Sequence, residues 1–416
     1  MKYEPLYKTY YKNKEEHQAL YESRFSSEDA IRTGIAIADN EAFCLQCSEL
    51  SSLSADILRV DKEVTLLKAS LPEQAVSWFR MESLIDEIII TNNIEGVHST
   101  RREIKDVIAS LGESKRHEKR LQGLVNQYIL LGEKNGEKNI KKNINLRTCT
   151  DIRALYDKLV LTEVLENDAD NAPDGKIFRK NTVEVRNAIQ KVIHTGVYPE
   201  EQIIAYMQKS LDFLHDDDLD ILIRTAVFHY LFGYIHPFYD GNGRLSRFIS
   251  SYFLSKNLDP LVGCRLSYTI QDNLSDYYKM FKLCNDPVNK GDITPFAIMF
   301  LGVVLKAEKN LLYELATRRD LYEKELQQIK ALSGREKWDK TTESLCGALL
   351  ISALFAEDGA TKQQLLQELK IKSNTTLNTK LNKLRTYNLI EETKDKKVSF
   401  YKLKYENLST ALSAEA

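Results

Sequence analysis

The chain has 416 residues, with 58 Lys and Arg against 60 Asp and Glu, so its formal net charge is −2. That balance excludes a surface coated all round with nucleic acid, and 43% hydrophobic with 28% charged residues excludes a disordered chain. At about 150 residues per domain the length predicts two to three domains, and 17 Gly with 8 Pro favours long helices over many short strands.

Taken in order, the start MKYEPLYKTYYKNKEEHQ lacks the apolar core of a signal peptide. Six scattered cysteines do not make a disulfide scaffold, and Cys44-Leu-Gln-Cys47, without a second pair, reads as two buried thiols one helical turn apart. The segment 73–96 predicts an amphipathic helix with Val76, Phe79, Ser83, Ile85 and Ile89 along one stripe, closed by Gly96. The Lys/Asn/Glu-rich stretch 132–146 reads as an exposed connection. Residues 172–186 carry the clearest strand signal: a Pro-Asp-Gly turn, then Ile177/Phe178 and Val183/Val185, predicting a short hairpin or flap. Helical patterns resume at 198–214 and from Asp220 to Tyr234, the second followed by a polar loop and the helix Leu245–Leu254. The longest apolar run, near 295–305, is too short to span a bilayer, so the expectation is a cytoplasmic protein without a membrane partner.

From 316 to 340 the chain reads as a charged linker helix. Beyond it the texture changes: two short helices over 345–370, a third near Asn374–Thr386, and a two-stranded hairpin over 391–403. That order resembles a winged helix-turn-helix module at 341–410. Between 357 and 404 eleven Lys/Arg stand against six Asp/Glu. Lys380, Lys383 and Arg385 on the third helix, and Lys394, Lys396 and Lys397 on the hairpin, could contact phosphates, so DNA is a partner to weigh against a protein-interaction module.

The chemistry concentrates in His236-Pro-Phe-Tyr-Asp-Gly-Asn-Gly-Arg-Leu-Ser-Arg247, a loop feeding a helix N-terminus between two apolar helices. Successive glycines let backbone N–H groups converge, and the helix dipole adds positive potential, which together make an anion cradle. Arg244 and Arg247 lie three apart in the first helical turn and would clamp phosphate oxygens from the same side. Asp240 supplies the hard oxygen that Mg²⁺ prefers when it also binds phosphates, and His236 has the pKa range of a general base. His229, seven residues earlier, reads as a packed histidine.

This segment resembles the Fic family signature H-x-F-x-D/E-G-N-G-R-x-x-R at every specified position. The resemblance implies a mainly α fold: an N-terminal helical region (1–115) with an inhibitory helix at about 73–96, then a Fic catalytic core (116–315) with a β-hairpin flap at about 176–186. It implies transfer of AMP from ATP to a Ser, Thr or Tyr hydroxyl of a target protein or of the chain itself. By position, His236 would deprotonate the hydroxyl, Phe238 would anchor the loop, and Asp240 would hold Mg²⁺ against the α- and β-phosphates. Gly241, Asn242 and Gly243 would cradle the phosphates, with Arg244 and Arg247 at the β/γ end. The Lys of the family's phosphate-transferring branch is absent from that stretch. Thr182, Val183 and Glu184 fall where the flap pairs with a target segment, and Tyr277, Tyr278 and Asn285 resemble the adenine-side residues. Thr91-Asn-Asn-Ile-Glu95-Gly96 resembles the inhibitory motif S/T-x-x-x-E-G/N, in which Glu95 would pair with Arg247 and take the room of the γ-phosphate. Two alternatives stay open: removal of AMP, with Glu95 positioning a water, and a DNA-binding regulator whose Fic domain senses nucleotide. A homodimer is also left open.

Overall fold

A computed structural model describes residues 3–110, 120–132, 144–186, 192–395 and 398–413. Most of the 132–146 connection, and Lys396 and Lys397 of the predicted hairpin tip, lie outside the described residues. The chain divides into two compact units, Met1–Lys62 with Leu84–Lys309 and Glu63–Ser83 with Asn310–Ala416. The division falls inside helices α3 (Ser48–Ala69), α4 (Glu73–Ile94) and α15 (Thr294–Arg335).

The first unit opens with α1 (Leu6–Lys12) and α2 (Lys14–Phe25), between which Asn13 ends one helix and caps the next through its side-chain oxygen. An antiparallel hairpin follows, β1 (Ala30–Ile37) and β2 (Asn40–Leu45), turning at Ala38 and Asp39 with φ 44° and 68°. Cys44 lies on β2, and Cys47 lies beyond its end, so the two thiols are not one helical turn apart. Next come α5 (Arg101–Ala109), α6 (Gln122–Ile129) and α7 (Cys149–Tyr156). Thr100–Glu103 and Thr148–Asp151 form reciprocal capping boxes at the starts of α5 and α7. A π-helical turn, Asp157–Leu161, joins α7 to α8 (Thr162–Asn167). The antiparallel strands β3 (Glu184–Arg186) and β4 (Val192–Thr195) pair Glu184 with Thr195 and Val185 with His194. Then follow α9 (Glu200–Leu214), α10 (Ile221–Ile235), α11 (Asn242–Asn257), α12 (Pro260–Gly263), α13 (Leu266–Asp272) and α14 (Leu274–Asn285). Helix α10 is buried on every side, as its nearly unbroken apolar sequence requires, and with Phe248 and Ile249 of α11 it forms the middle of the core.

The second unit holds α16 (Lys340–Phe355), α17 (Lys362–Glu368), α18 (Asn374–Thr386) and α19 (Leu408–Ser413). Its three-stranded sheet has the order β5 (Ala360–Thr361), β7 (Val398–Leu403), β6 (Ile390–Asp395). Leu377, Leu381 and Leu384 of α18 are fully buried, at the spacing of one helix face.

Three further expectations need correction. Phe79, Ser83 and Ile85 of the predicted α4 stripe are buried, but the buried face also takes in Ala75, Trp78, Leu84, Glu87, Ile88, Thr91 and Asn92, whereas Val76 and Ile89 are only half-buried. The hairpin starts at Glu184 and not near 172. Residues 176–178 instead give their N–H groups to the Glu200 carboxylate, at 2.9, 2.7 and 2.9 Å, so one acid satisfies what a strand partner would have. Finally, 316–335 is no separate linker helix, because α15 runs unbroken for 42 residues to Arg335.

Candidate active site

The functional loop begins where α10 is forced to stop. His236 caps the helix in the left-handed region, φ 52°, with its N–H on the carbonyl of Phe232, and Pro237 cannot continue the spiral. A non-glycine residue pays of order 1 kcal/mol there, so the surroundings must hold it. Arg179 does so. Its buried guanidinium donates from Nε to the His236 carbonyl at 2.9 Å and from Nη2 to those of Val197 at 2.7 Å and Ile235 at 3.4 Å. Nη1 reaches the Asn181 carbonyl at 2.5 Å. One cation thus ties the residues before and after the β3–β4 hairpin to the end of α10. Burial lowers the Arg179 pKa to about 10, which leaves it charged at neutral pH.

Phe238 is fully buried, stacked on Tyr156 at 3.7 Å between ring centres and edge-on to Phe178. Tyr156 is the last residue before the π turn, whose Val160 crowds Gly241 so closely that a Cβ there would overlap it. Asn242 does not face outward as a phosphate cradle. Its Oδ1 accepts the Phe238 N–H at 3.0 Å and its Nδ2 donates to the Phe238 carbonyl at 2.8 Å, so the amide is spent on closing the loop. What the start of α11 leaves facing the pocket beside it is chiefly backbone at Gly243, beyond Gly241 with its φ of 81°.

The two arginines point to different partners instead of forming one clamp. Arg244, 1% exposed, pairs with Glu163 of α8, itself 3% exposed, and stands 3.7 Å from Asp240. Arg247 turns to the end of α4: Nε donates to Thr91 Oγ1 at 2.9 Å, Nη2 to the Thr91 carbonyl at 2.9 Å, and Nη1 meets Glu95 at 2.8 Å. Glu95 sits where α4 closes in a Schellman turn, with Gly96 N–H on Asn93 and Val97 N–H on Asn92. Gly96, at φ 72°, provides the left-handed residue that this closure needs. The Glu95 carboxylate comes to rest directly over Gly243, where any Cβ would collide with it. An anion thus occupies the N-terminus of α11 already, and it belongs to the chain itself.

A pocket opens beside this carboxylate, lined by Glu95, His236, Asn242, Gly243, Arg247 and, at its far end, by His194, Tyr277, Tyr278 and Asn285. Asp240, Gly241 and Arg244 stand outside that lining. Burial, with His194 and Arg179 nearby, pushes the His236 imidazole down to about 4, although Glu95 acts the other way, so the ring is neutral at physiological pH. Tyr277 is fixed through a relay. Ser250 donates to the Ser246 carbonyl at 2.9 Å, so it accepts from His229 Nδ1 at 2.8 Å, which leaves Nε2 to accept the Tyr277 hydroxyl at 2.8 Å. His229 is indeed fully buried and packed.

Of the predicted flap residues, Thr182 and Glu184 are exposed and Val183 half-buried; only Val185 of that strand reaches the pocket. Val183 accepts the Gly196 N–H at 3.0 Å, continuing the pairing one step beyond the strands. Arg179, His194 and Glu163 went unread in the sequence. Each works through a group remote in the chain, and none sits in a recognisable spacing.

Residues 148–254 match the Fic/DOC family, and the chain carries a Fic domain there. The protein adenylyltransferase Fic of Drosophila sechellia is 32% identical over 123 residues, which is 30% of this chain and 22% of that protein. The one from Drosophila willistoni is 32% identical over 126 residues, with the same shares. The chain thus spans about a fifth of the length of these curated relatives. A crystal structure of a Fic family protein from Desulfovibrio desulfuricans superposes with a TM-score of 0.50 at 21% identity, covering 86% of this chain and 96% of that one. The fold is accordingly the mainly helical one of Fic proteins. Among the described residues no helix is long and apolar enough to cross a membrane.

Proposed function

We propose that this chain transfers AMP from ATP to a Ser, Thr or Tyr hydroxyl of a target protein or of itself, and that Glu95 restrains it. The observation that carries this reading is the Glu95 carboxylate over Gly243 and against Arg247, beside His236. An acid held at a helix N-terminus by an arginine imitates a phosphate, so the place it fills suits the phosphates of a nucleotide.

The hydroxyl oxygen attacks the α-phosphorus, its proton passes to the His236 imidazole, and the bond to the bridging oxygen breaks to release pyrophosphate. His236 is neutral in the described state and has a lone pair to offer, which suits a base better than the acid that AMP removal would need. Arriving phosphates would raise its pKa toward neutrality and make it a better base. The backbone N–H groups at the start of α11 and Arg247 would hold the oxygens on which charge collects.

The donor set fits Mg²⁺. Asp240 is half-exposed, one of its oxygens accepts the Gly241 N–H, and among the described residues no cluster of three metal-binding side chains surrounds it. A lone carboxylate suits an ion that keeps waters and shares the substrate's phosphates. Asp240 would hold it, and when bound it would neutralise phosphate charge.

Incubation with labelled ATP and Mg²⁺ tests the proposal. Wild type should label itself or a partner weakly, Glu95→Gly strongly, and the Glu95→Gly/His236→Ala double variant not at all. Undiminished labelling in the double variant would overturn the role given to His236.

A further inference from the structure

The far end of the pocket carries a pair of hydrogen-bonding groups whose polarity is fixed by its neighbours. The Tyr234 carbonyl can only accept, and it lies 2.6 Å from His194 Nε2. The His194 proton is therefore on Nε2, and Nδ1 presents a lone pair. Burial lowers the His194 pKa, so this neutral form holds at physiological pH. The Tyr230 hydroxyl, on α10, reaches Oδ1 of Asn285, the last residue of α14, at 2.6 Å. The amide oxygen is thus engaged, and Nδ2 is the end that faces His194 Nδ1, at 3.4 Å. An acceptor and a donor stand side by side on the pocket wall, joined by one long bond. A base edge bringing a donor and an acceptor in the matching order would exchange that weak contact for two of ordinary length.

Resting on the adenylyl-transfer reading, we infer that His194 is a specificity-determining residue for the base: its Nδ1 accepts from the 6-amino group of adenine, while Asn285 Nδ2 donates to the neighbouring ring nitrogen. In the same seat a 6-oxo purine inverts the pattern. Its O6 turns a lone pair toward the lone pair of His194, and on the N1 side the ring nitrogen carries a proton toward the amide N–H. A pocket built to accept a hydrogen bond rejects the analogue that cannot give one, because its own buried acceptor is left unpaired. Tyr277 and Tyr278 offer flat surface to any purine and do not distinguish the two. Choice of base thus falls to a strand residue, His194 of β4, and a helix residue, Asn285 of α14, that are 91 positions apart.

The test is calorimetric titration of ATP and of inosine triphosphate, each with Mg²⁺, into the full chain carrying Glu95→Gly, without acceptor protein. ATP should bind tighter by on the order of ten- to a hundredfold, the range for one well-placed base contact. Adding His194→Leu, which has no acceptor, should shrink the ratio below about threefold, mostly by weakening ATP. Adding His194→Gln, whose side-chain oxygen can accept, should restore most of it. A ratio near one in Glu95→Gly, or a ratio that His194→Leu and His194→Gln both leave unchanged, would overturn the assignment. If the leucine variant does not fold, His194→Ala, which also lacks an acceptor, takes its place with the same loss expected and the same result overturning the assignment. Failure of Glu95→Gly to bind either nucleotide is a different result: it removes the nucleotide site itself, and the role of His194 with it.

Discussion

The start of α11 and the helix α18 each present basic side chains that the sequence reads as binders of phosphate, and in both places carboxylates hold them. Arg244 pairs with Glu163 and Arg247 with Glu95; Lys380 pairs with Asp339 and Arg385 with Glu392. The difference is water. Arg244 and Arg247 are each 1% exposed, whereas Lys380 and Asp339 are 21% and 50% exposed. Unlike Arg179, which carbonyls satisfy, Arg244 and Arg247 lean on carboxylates out of solvent, so losing that acid leaves a buried charge that an incoming anion can take up. A surface ammonium exchanges its partner for water at little cost. Pairing alone therefore does not separate the two regions; burial of the cation does.

The largest effect should come from taking a buried carboxylate away where nothing can replace it. Glu163→Ala leaves Asp240, at 3.7 Å, as the only acid paired with Arg244 among the described residues, and should cost about 3–5 kcal/mol in denaturant unfolding. A loss under about 1 kcal/mol would place this pair in the same class as those of α18 and break the contrast.

A second effect depends on pH. Glu87, one turn before Thr91 on α4, is fully buried and accepts the Ser267 N–H at 2.8 Å and the Tyr268 N–H at 3.4 Å. Burial raises its carboxyl to about 7 despite those donors. The folded state thus holds a proton that the unfolded chain releases near its ordinary value. The stability tied to Glu87 is present below that value and is lost as pH rises toward 7, by about 3 kcal/mol at most. His229, pushed down to about 3 by burial, contributes in the opposite direction, losing stability as pH falls below about 6.5. Melting wild type beside Glu87→Gln from pH 4.5 to 7.5 isolates the first term, since the His229 contribution cancels in the difference. The variant should gain on wild type as pH rises; parallel curves would show that Glu87 stays ionised throughout.

How legible each part was follows from how local its cause is. The loop 236–247 could be read because its chemistry is written in twelve consecutive residues, and α10 because an apolar run of that length has nowhere to go but inside. Glu95 was reachable through its spacing from Thr91 and Gly96. The orientation of Asn242 was not: composition shows an amide, but whether it faces a phosphate or its own loop depends on the Phe238 backbone. Arg179 left no trace because carbonyl groups satisfy it, and every residue has one. The strands β3 and β4 span three and four residues, too few for alternation to stand out. The linker reading at 316–340 took a change of surface charge for a change of element. With no proline after Pro295 in that stretch, nothing in the chain stops α15.

The smallest effects belong to α18 and sharpen the contrast from its weak side. Lys380→Ala should change stability by no more than about 0.5 kcal/mol, the ordinary worth of an exposed pair. Asp339→Ala should cost about 1 kcal/mol, because Asp339 also caps α16, accepting the Thr342 N–H at 3.0 Å and its hydroxyl at 3.1 Å. The double variant then separates the two roles: if the pair contributes little, the losses of the single variants add, and the cap accounts for the difference between them. A coupling above about 1 kcal/mol would mean that Lys380 is held as firmly as a buried cation. In that case α18 could not release it to a phosphate without an anion in exchange, and its basic face would obey the same rule as the start of α11.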